Sequence, residues 1–183
     1  KKNKLTVSHV GDSSAVLGRF EKGGSRDVEF MEYVQLTRDH RPNLKDEKAR
    51  IERNGGRVVF DGYANHYVCS KSKRRPSLNT SRCLGDLMGH QDCGITAEPE
   101  VYEMQIQPED HVLLVCSDSV WEFISPAEAV SLVAEFGPRA SMAAAEGLAK
   151  EAWDRWIAQD GGAAVEDITV VLEFLNQDCK QDG

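Results

Sequence analysis

The chain lacks the cysteine pattern of a stapled or zinc-bound protein. Its five cysteines, Cys69, Cys83, Cys93, Cys116 and Cys179, are odd in number and include no CxxC pair. A disulfide framework and a structural zinc site are therefore not expected. Reduced thiols in an intracellular protein, cytoplasmic or nuclear, are the expectation. Long apolar runs are also missing. No segment approaches the ~18 uninterrupted apolar residues of a membrane span, and no signal peptide is visible, so no membrane role is expected. Positive charge is in deficit: 22 Lys+Arg stand against 30 Asp+Glu, a net charge of −8. Such a chain is a poor match for the phosphate backbone, and no nucleic-acid partner is expected. There is no internal repeat, low-complexity tract or interdomain linker.

What is present suits one globular domain. The 183 residues are 40% hydrophobic and 28% charged, enough to bury a sizeable core. Leu5–Val10 and Ala15–Arg19 read as strands flanking Gly11-Asp12-Ser13-Ser14, a turn-rich group that predicts a hairpin. Val28–Leu36 is a further strand. Lys45–Asn54 reads as a short charged helix, stopped by Asn54-Gly55-Gly56, and Arg57–Phe60 resumes strand character. Asp61–Asn79 is polar and irregular, and reads as a loop. Val101–Gln105 and Val112–Ser117 are strands. Ser125-Pro126-Ala127-Glu128 opens a helix to Phe136, with a hydroxyl cap and proline in the first turn. A second helix spans Ser141–Gln159, with Met142, Ala145, Leu148, Ala149, Ala152 and Trp156 at helical spacing. Ile168–Phe174 is the last strand, before a polar tail over 176–183. Strands and helices do not alternate regularly, so an α+β architecture is expected. Leu113, Val115, Val170 and Leu172 are expected to be buried in one sheet, with Trp156 facing that sheet and Trp153 on the same helix.

Chemistry concentrates in Leu113–Ile124, LLVCSDSVWEFI. An apolar strand delivers Asp118 at its end, and Glu122 follows four residues later. Hard divalent cations take oxygen ligands, and rigid strand ends position them well. The same residue types also serve as helix caps and turn acids. Asp12 in VGDSSAVLGR is a ligand or a turn former, and Glu166 in VEDITVVLEF is a ligand or a solvated acid before a strand. Lys71, Lys73, Arg74 and Arg75 mark either an exposed loop or a flap that meets phosphate.

With TRDHRP at Thr37–Pro42 and SRCLGD at Ser81–Asp86, these strings form an ordered series. The series resembles the type 2C metal-dependent protein serine/threonine phosphatases, whose usual strings are GDSRA, DHxP, a helix ending in GG, SRALGD, SDGxWD and DNIT or DDIT. The match runs from about Thr6 to Leu175. The resemblance implies two antiparallel sheets packed as a sandwich flanked by helices, with residues 1–175 forming the C-terminal two-thirds of the domain. It implies a hydrolase that removes phosphate from phosphoserine and phosphothreonine in proteins. Two or more Mg²⁺ or Mn²⁺ ions would activate a water for in-line attack. Carried over residue by residue, Asp118 and Glu166 are metal ligands, and Asp12 and Glu122 hold a weaker additional ion. Lys73, Arg74 and Arg75 fall in the substrate flap. Asp39, His40, Ser81, Arg82 and Asp86 take structural roles.

Three positions depart from the family pattern. Ser14 replaces the arginine of GDSR, Glu166 replaces an aspartate, and Ser119 replaces a glycine that permits backbone conformations serine adopts only at some cost. The family's DGHGG turn would lie before Lys1, so these 183 residues alone are expected to be inactive. The alternative reading is an impaired phosphatase-like scaffold or binding module.

Overall fold

The computed structural model describes residues 3–24, 31–71, 78–160 and 166–175. The strands are β1 (Lys4–His9), β2 (Ser14–Arg19), β3 (Glu32–Gln35), β4 (Gly56–Phe60), β5 (His66–Ser70), β6 (Glu100–Gln105), β7 (Asp110–Cys116) and β8 (Val170–Phe174). The helices are α1 (Lys45–Arg53), α2 (Leu87–Asp92), α3 (Asp118–Trp121), α4 (Pro126–Ala134) and α5 (Ser141–Asp160). The architecture is α+β. Its strands form a four-stranded sheet, β3-β2-β7-β8, and two ribbons, β1-β6 and β4-β5. Among the described residues no helix is long and apolar enough to cross a membrane. The chain divides into two compact units, 1–7 with 13–37 and 102–183, and 8–12 with 38–101.

In the first unit the four-stranded sheet is antiparallel throughout, with β2 and β7 at its centre. One face buries Val16, Val112, Leu114, Cys116 and Phe174 beneath Ala129, Val130 and Val133 of α4 and Ala144, Leu148 and Ala152 of α5. Helix α4 approaches closely because position 18 is glycine. A Cβ there would lie 2.9 Å from Val112 Cγ1 and 3.2 Å from Val130 Cβ. The helix starts as its sequence predicts, with Ser125 Oγ accepting from the Glu128 amide at 3.3 Å and Pro126 in the first turn. Arg155 of α5 ties the two helices together by pairing with Glu128 of α4 at 2.5 Å, and is steadied within α5 by Glu151 at 2.8 Å. On the opposite sheet face, Ala15, Leu17 and Leu36 pack with Leu5, Val7, Met104 and Leu113.

The second unit packs α1 and the β4-β5 ribbon around Ile51, Val68, Cys93 and Ile95. Gly55, at φ +91°, turns the chain out of α1 into β4, as the Asn54-Gly55-Gly56 stop implied.

Several expectations are corrected. β1 and β2 do not pair as a hairpin: β1 joins β6, while β2 lies between β3 and β7. Turn residues between two strands set a reversal of the chain, but not which partner each strand takes. The expected loop at 61–79 contains β5, paired antiparallel with β4, and α2 forms where no helix was expected. In the strand expected over Val28–Leu36, β3 is described from Glu32 onward, and 25–30 lie outside the described residues.

Leu113 and Val115 do not share a face with Val170 and Leu172. The register sets Cys116 opposite Val170 and Leu114 opposite Leu172, so the helix-covered face carries 112, 114 and 116. Val115 is 40% exposed. Strand VLLVC is apolar at every position, so period two gives no phase. On α5 the buried ridge is Ala144, Leu148, Ala152 and Trp156, while Met142 is exposed. Trp153 and Trp156 both lie on α5, as expected; Trp156 is buried against Phe123 and Trp153 is 48% exposed.

This phase is testable by truncation. Leu114→Ala should cost about 2–5 kcal/mol, because it leaves a cavity under two helices. Val115→Ala, one residue away in the same strand, should cost less than about 1 kcal/mol. Urea unfolding of both variants measures the difference, and equal losses would overturn the assigned register.

Candidate functional site

In the first unit the end of β7 is held to the segment before β8. Ser117 donates its amide to Thr169 O at 3.1 Å, and its Oγ accepts from the Thr169 amide at 3.0 Å. Ser119 Oγ donates to Asp167 O at 2.9 Å. The segment bearing Glu166 therefore lies against the residues on either side of Asp118. Asp118 opens α3, and its carboxylate accepts from the Ser119 amide at 3.0 Å, which suits an acid in a helix first turn. Asp118 is half-buried, whereas Glu122, Glu166 and Asp167 are exposed. Two tryptophans fix the floor: Trp121 Nε1 donates to Cys116 O at 3.1 Å, and Trp156 Nε1 to Ser119 O at 3.0 Å.

Ser119 is not strained. It lies in α3, and among the described non-glycine residues only Asp86 has a positive φ. The conformational cost expected from replacing a glycine does not arise. Cys116, at 1% exposure, is a core residue, and burial pushes its thiol up to about 12.

In the second unit Asp12 pairs with Arg41 at 3.1 Å. Arg41 comes from TRDHRP, so a charge partner for Asp12 exists even though Ser14 stands where the family strings have arginine. Next to this pair, Gly11 and His40 bond reciprocally. The Gly11 amide donates to His40 Nδ1, and the His40 amide donates to Gly11 O, both at 3.0 Å. The His40 carbonyl accepts from the Ser81 amide at 2.7 Å and from the hydroxyls of Ser81 and Thr80. TRDHRP and SRCLGD are thereby joined.

Beneath them lies Glu47, 1% exposed, which residue spacing had not singled out. Arg82 reaches it at 2.6 Å, Arg50 at 2.7 Å, and Ser81 Oγ also donates to it. Burial alone would raise this carboxyl, but the bonds from Arg82, Ser81 and Arg50 outweigh burial and hold it at about 2. The available signal was an acid next to Asp46 in the first turn of a charged helix, which by itself reads as solvated surface.

His9, His40 and Glu100 place ligand atoms within 4.8 Å of one another. Their chemistry does not suit a cation. The Gly11 amide occupies the His40 Nδ1 lone pair, which leaves the hydrogen of the neutral ring on Nε2. That buried Nε2 is 3.7 Å from Glu100, too far for a hydrogen bond. Glu100 already pairs with Arg38 and, at 3.3 Å, with Arg82. The His9 and His40 rings stack 4.5 Å apart. Burial, then the charges of Arg82 and His9, push His40 down to about 4 against the pull of Glu100 and Glu47. The basic residues Lys73, Arg74 and Arg75 lie outside the described residues. Burial and then the charge of Asp86 raise the Cys83 thiol, which disfavours the thiolate.

The family model for protein phosphatase 2C matches residues 1–160. The chain belongs to the protein phosphatase 2C family. It is 36% identical over 177 residues to the probable protein phosphatase 2C 48 of Oryza sativa subsp. japonica, covering 94% of this chain and 48% of that protein. It is 36% identical over 174 residues to the probable protein phosphatase 2C 73 of Arabidopsis thaliana, covering 94% and 44%. Among solved structures it matches a serine-threonine phosphatase 2C from Toxoplasma gondii at a TM-score of 0.76. That match has 26% identity and covers 95% of this chain and 55% of the other. The chain spans about half the length of the curated relatives it matches. The phosphatase 2C strings thus lie on β1-β2, α1, the segment before α2, the β7-α3 junction and the start of β8.

The buried groups of the second unit make stability acid-sensitive in two windows. His40 has a folded value near 4 against an ordinary 6.5, so the unfolded chain takes up a proton first. Stability should therefore fall as pH drops from about 6.5 to about 4, by up to roughly 3 kcal/mol. Glu47 is depressed from 4.5 to about 2; its contribution is complete above 4.5 and is lost below it. Urea unfolding of His40→Asn, which keeps an acceptor for the Gly11 amide, should show a flattened upper window. An unchanged slope there would refute the assignment.

Proposed function

We propose that the full-length protein is a metal-dependent hydrolase that removes phosphate from phosphoserine and phosphothreonine in proteins. Family membership supports the reaction class. The observation that carries the reading is the pair of serine hydroxyls, Ser117 and Ser119, that hold the Glu166-bearing segment beside the strand end bearing Asp118. The donors suit a hard cation: Asp118, Glu122 and Glu166 offer carboxylate oxygens at half-buried or exposed positions, the ligand type of Mg²⁺ and Mn²⁺. A bound divalent ion supplies a water of lowered pKa and offsets phosphate charge.

The chain's own residues hold the carboxylates in place. Asp118 is anchored by a strand paired on both sides. Glu166 rides on a short segment bonded to that strand's end. Asp12, in the second unit, keeps its carboxylate oriented through Arg41. The substrate is a phosphoprotein, with Lys73, Arg74 and Arg75 as cationic contacts for its phosphate or flanking acids. An intracellular location, cytoplasmic or nuclear, accords with the thiols at Cys69, Cys83, Cys93 and Cys116.

The test is hydrolysis of a phosphothreonine peptide by the full-length protein across a Mn²⁺ series. Asp118→Ala should reduce turnover at least about 10²-fold, and Glu166→Asp should preserve or raise it. Full activity in Asp118→Ala would refute the metal-ligand role. An inert native protein that Glu166→Asp does not rescue would favour the scaffold reading.

A further inference from the structure

We infer that Ser119 is a positioning residue for metal binding, through its hydroxyl. The inference rests on the reading of Asp118 and Glu166 as metal ligands. Ser119 is 1% exposed and uses every polar group it has. Its amide donates to Asp118 Oδ1 at 3.0 Å, its carbonyl accepts from Trp156 Nε1 at 3.0 Å, and its Oγ donates to Asp167 O at 2.9 Å. One residue therefore touches the first carboxylate, the backbone next to the second, and the helix that covers the sheet.

The first two bonds are made by backbone and would persist in a glycine. The third belongs to serine alone. It fixes the carbonyl of Asp167, the residue after Glu166, and so restrains the backbone that carries Glu166 beside the Asp118 strand end. Ser117 Oγ also donates to this carbonyl while accepting from the Thr169 amide, but at 3.4 Å its bond is longer and weaker than the 2.9 Å bond from Ser119. A looser hold on the Asp167 carbonyl would leave the Glu166 backbone less ordered, and a ligand that must be ordered on binding lowers affinity. The serine thus accompanies the longer acid: Glu166 has one more rotatable bond than aspartate, and the Ser119 bond restrains the backbone that carries it.

The experiment is Mn²⁺ titration calorimetry on the full-length native protein, Ser119→Ala, Ser119→Gly and Asp118→Ala, with thermal melts in chelator alongside. The two Ser119 variants should each bind Mn²⁺ about fivefold more weakly, the loss expected for one hydrogen bond. Their turnover should recover at saturating Mn²⁺, since the ligands themselves remain. Native affinity in both Ser119 variants, with binding lost in Asp118→Ala, would overturn the inference and leave the metal site standing. A lower melting temperature with native affinity would mark Ser119 as structural only and overturn it equally. Weakening in Ser119→Ala but not in Ser119→Gly would trace the effect to packing and overturn it too. Native affinity in Asp118→Ala would remove the underlying reading and this inference with it.

Discussion

Strand β7 is hydrogen-bonded on both sides and sealed by helices on one face, and this double constraint governs the first unit. Its backbone groups are satisfied by β2 and β8. Its side chains at 112, 114 and 116 are sealed by helices, and Leu113 packs on the other face. Such a strand cannot slide without breaking both ladders and unseating the side chains packed under the helices. Whatever follows Cys116 is therefore delivered to one place. Asp118 and Ser119 inherit that precision, and so does the segment before β8, whose register against β7 is set by the same ladder.

The second unit solves a different problem, the burial of charge. A carboxylate as enclosed as Glu47 is tolerated only when its oxygens are bonded and its charge is matched. Arg82, Arg50 and Ser81 do both. The His40 backbone carbonyl is bonded by the same Ser81, which couples the network to the turn at Gly11. The strings TRDHRP and SRCLGD are thus two halves of one hydrogen-bonded assembly. Their polar groups satisfy one another inside the unit.

The departures from the family pattern have local compensations. Arg41 supplies a cation to Asp12 where Ser14 cannot, and Ser14 itself is a buried β2 residue opposite Cys116. Ser119 occupies an ordinary helical conformation and gains a bond that glycine lacks. Each compensation comes from a residue distant in sequence: Arg41 is 29 positions from Asp12 by simple numbering, and Asp167 is 48 from Ser119. That distance is why the substitutions, viewed within their own strings, look like losses.

Local patterns determined a good deal. The Ser125-Pro126 helix start, the Gly55 stop, the helical run of α5 and the apolar strands all depend on neighbours within a few residues, so they were readable from the chain. The ordered strings named the family, and the abrupt change from LLVCS to Asp118 marked the strand end. Tertiary structure alone decided which strands pair, because turn chemistry specifies a reversal and not a partner. It alone decided the buried face of β7, because five consecutive apolar residues carry no alternation. It alone revealed β5, whose polar surroundings hid its pairing, and Glu47, whose enclosure depends on three cationic or hydroxyl groups brought from α1 and the segment before α2. Sequence records the preferences of a residue for its immediate backbone; burial, register and charge compensation are properties of pairs far apart in the chain, and they exist only once the chain has folded.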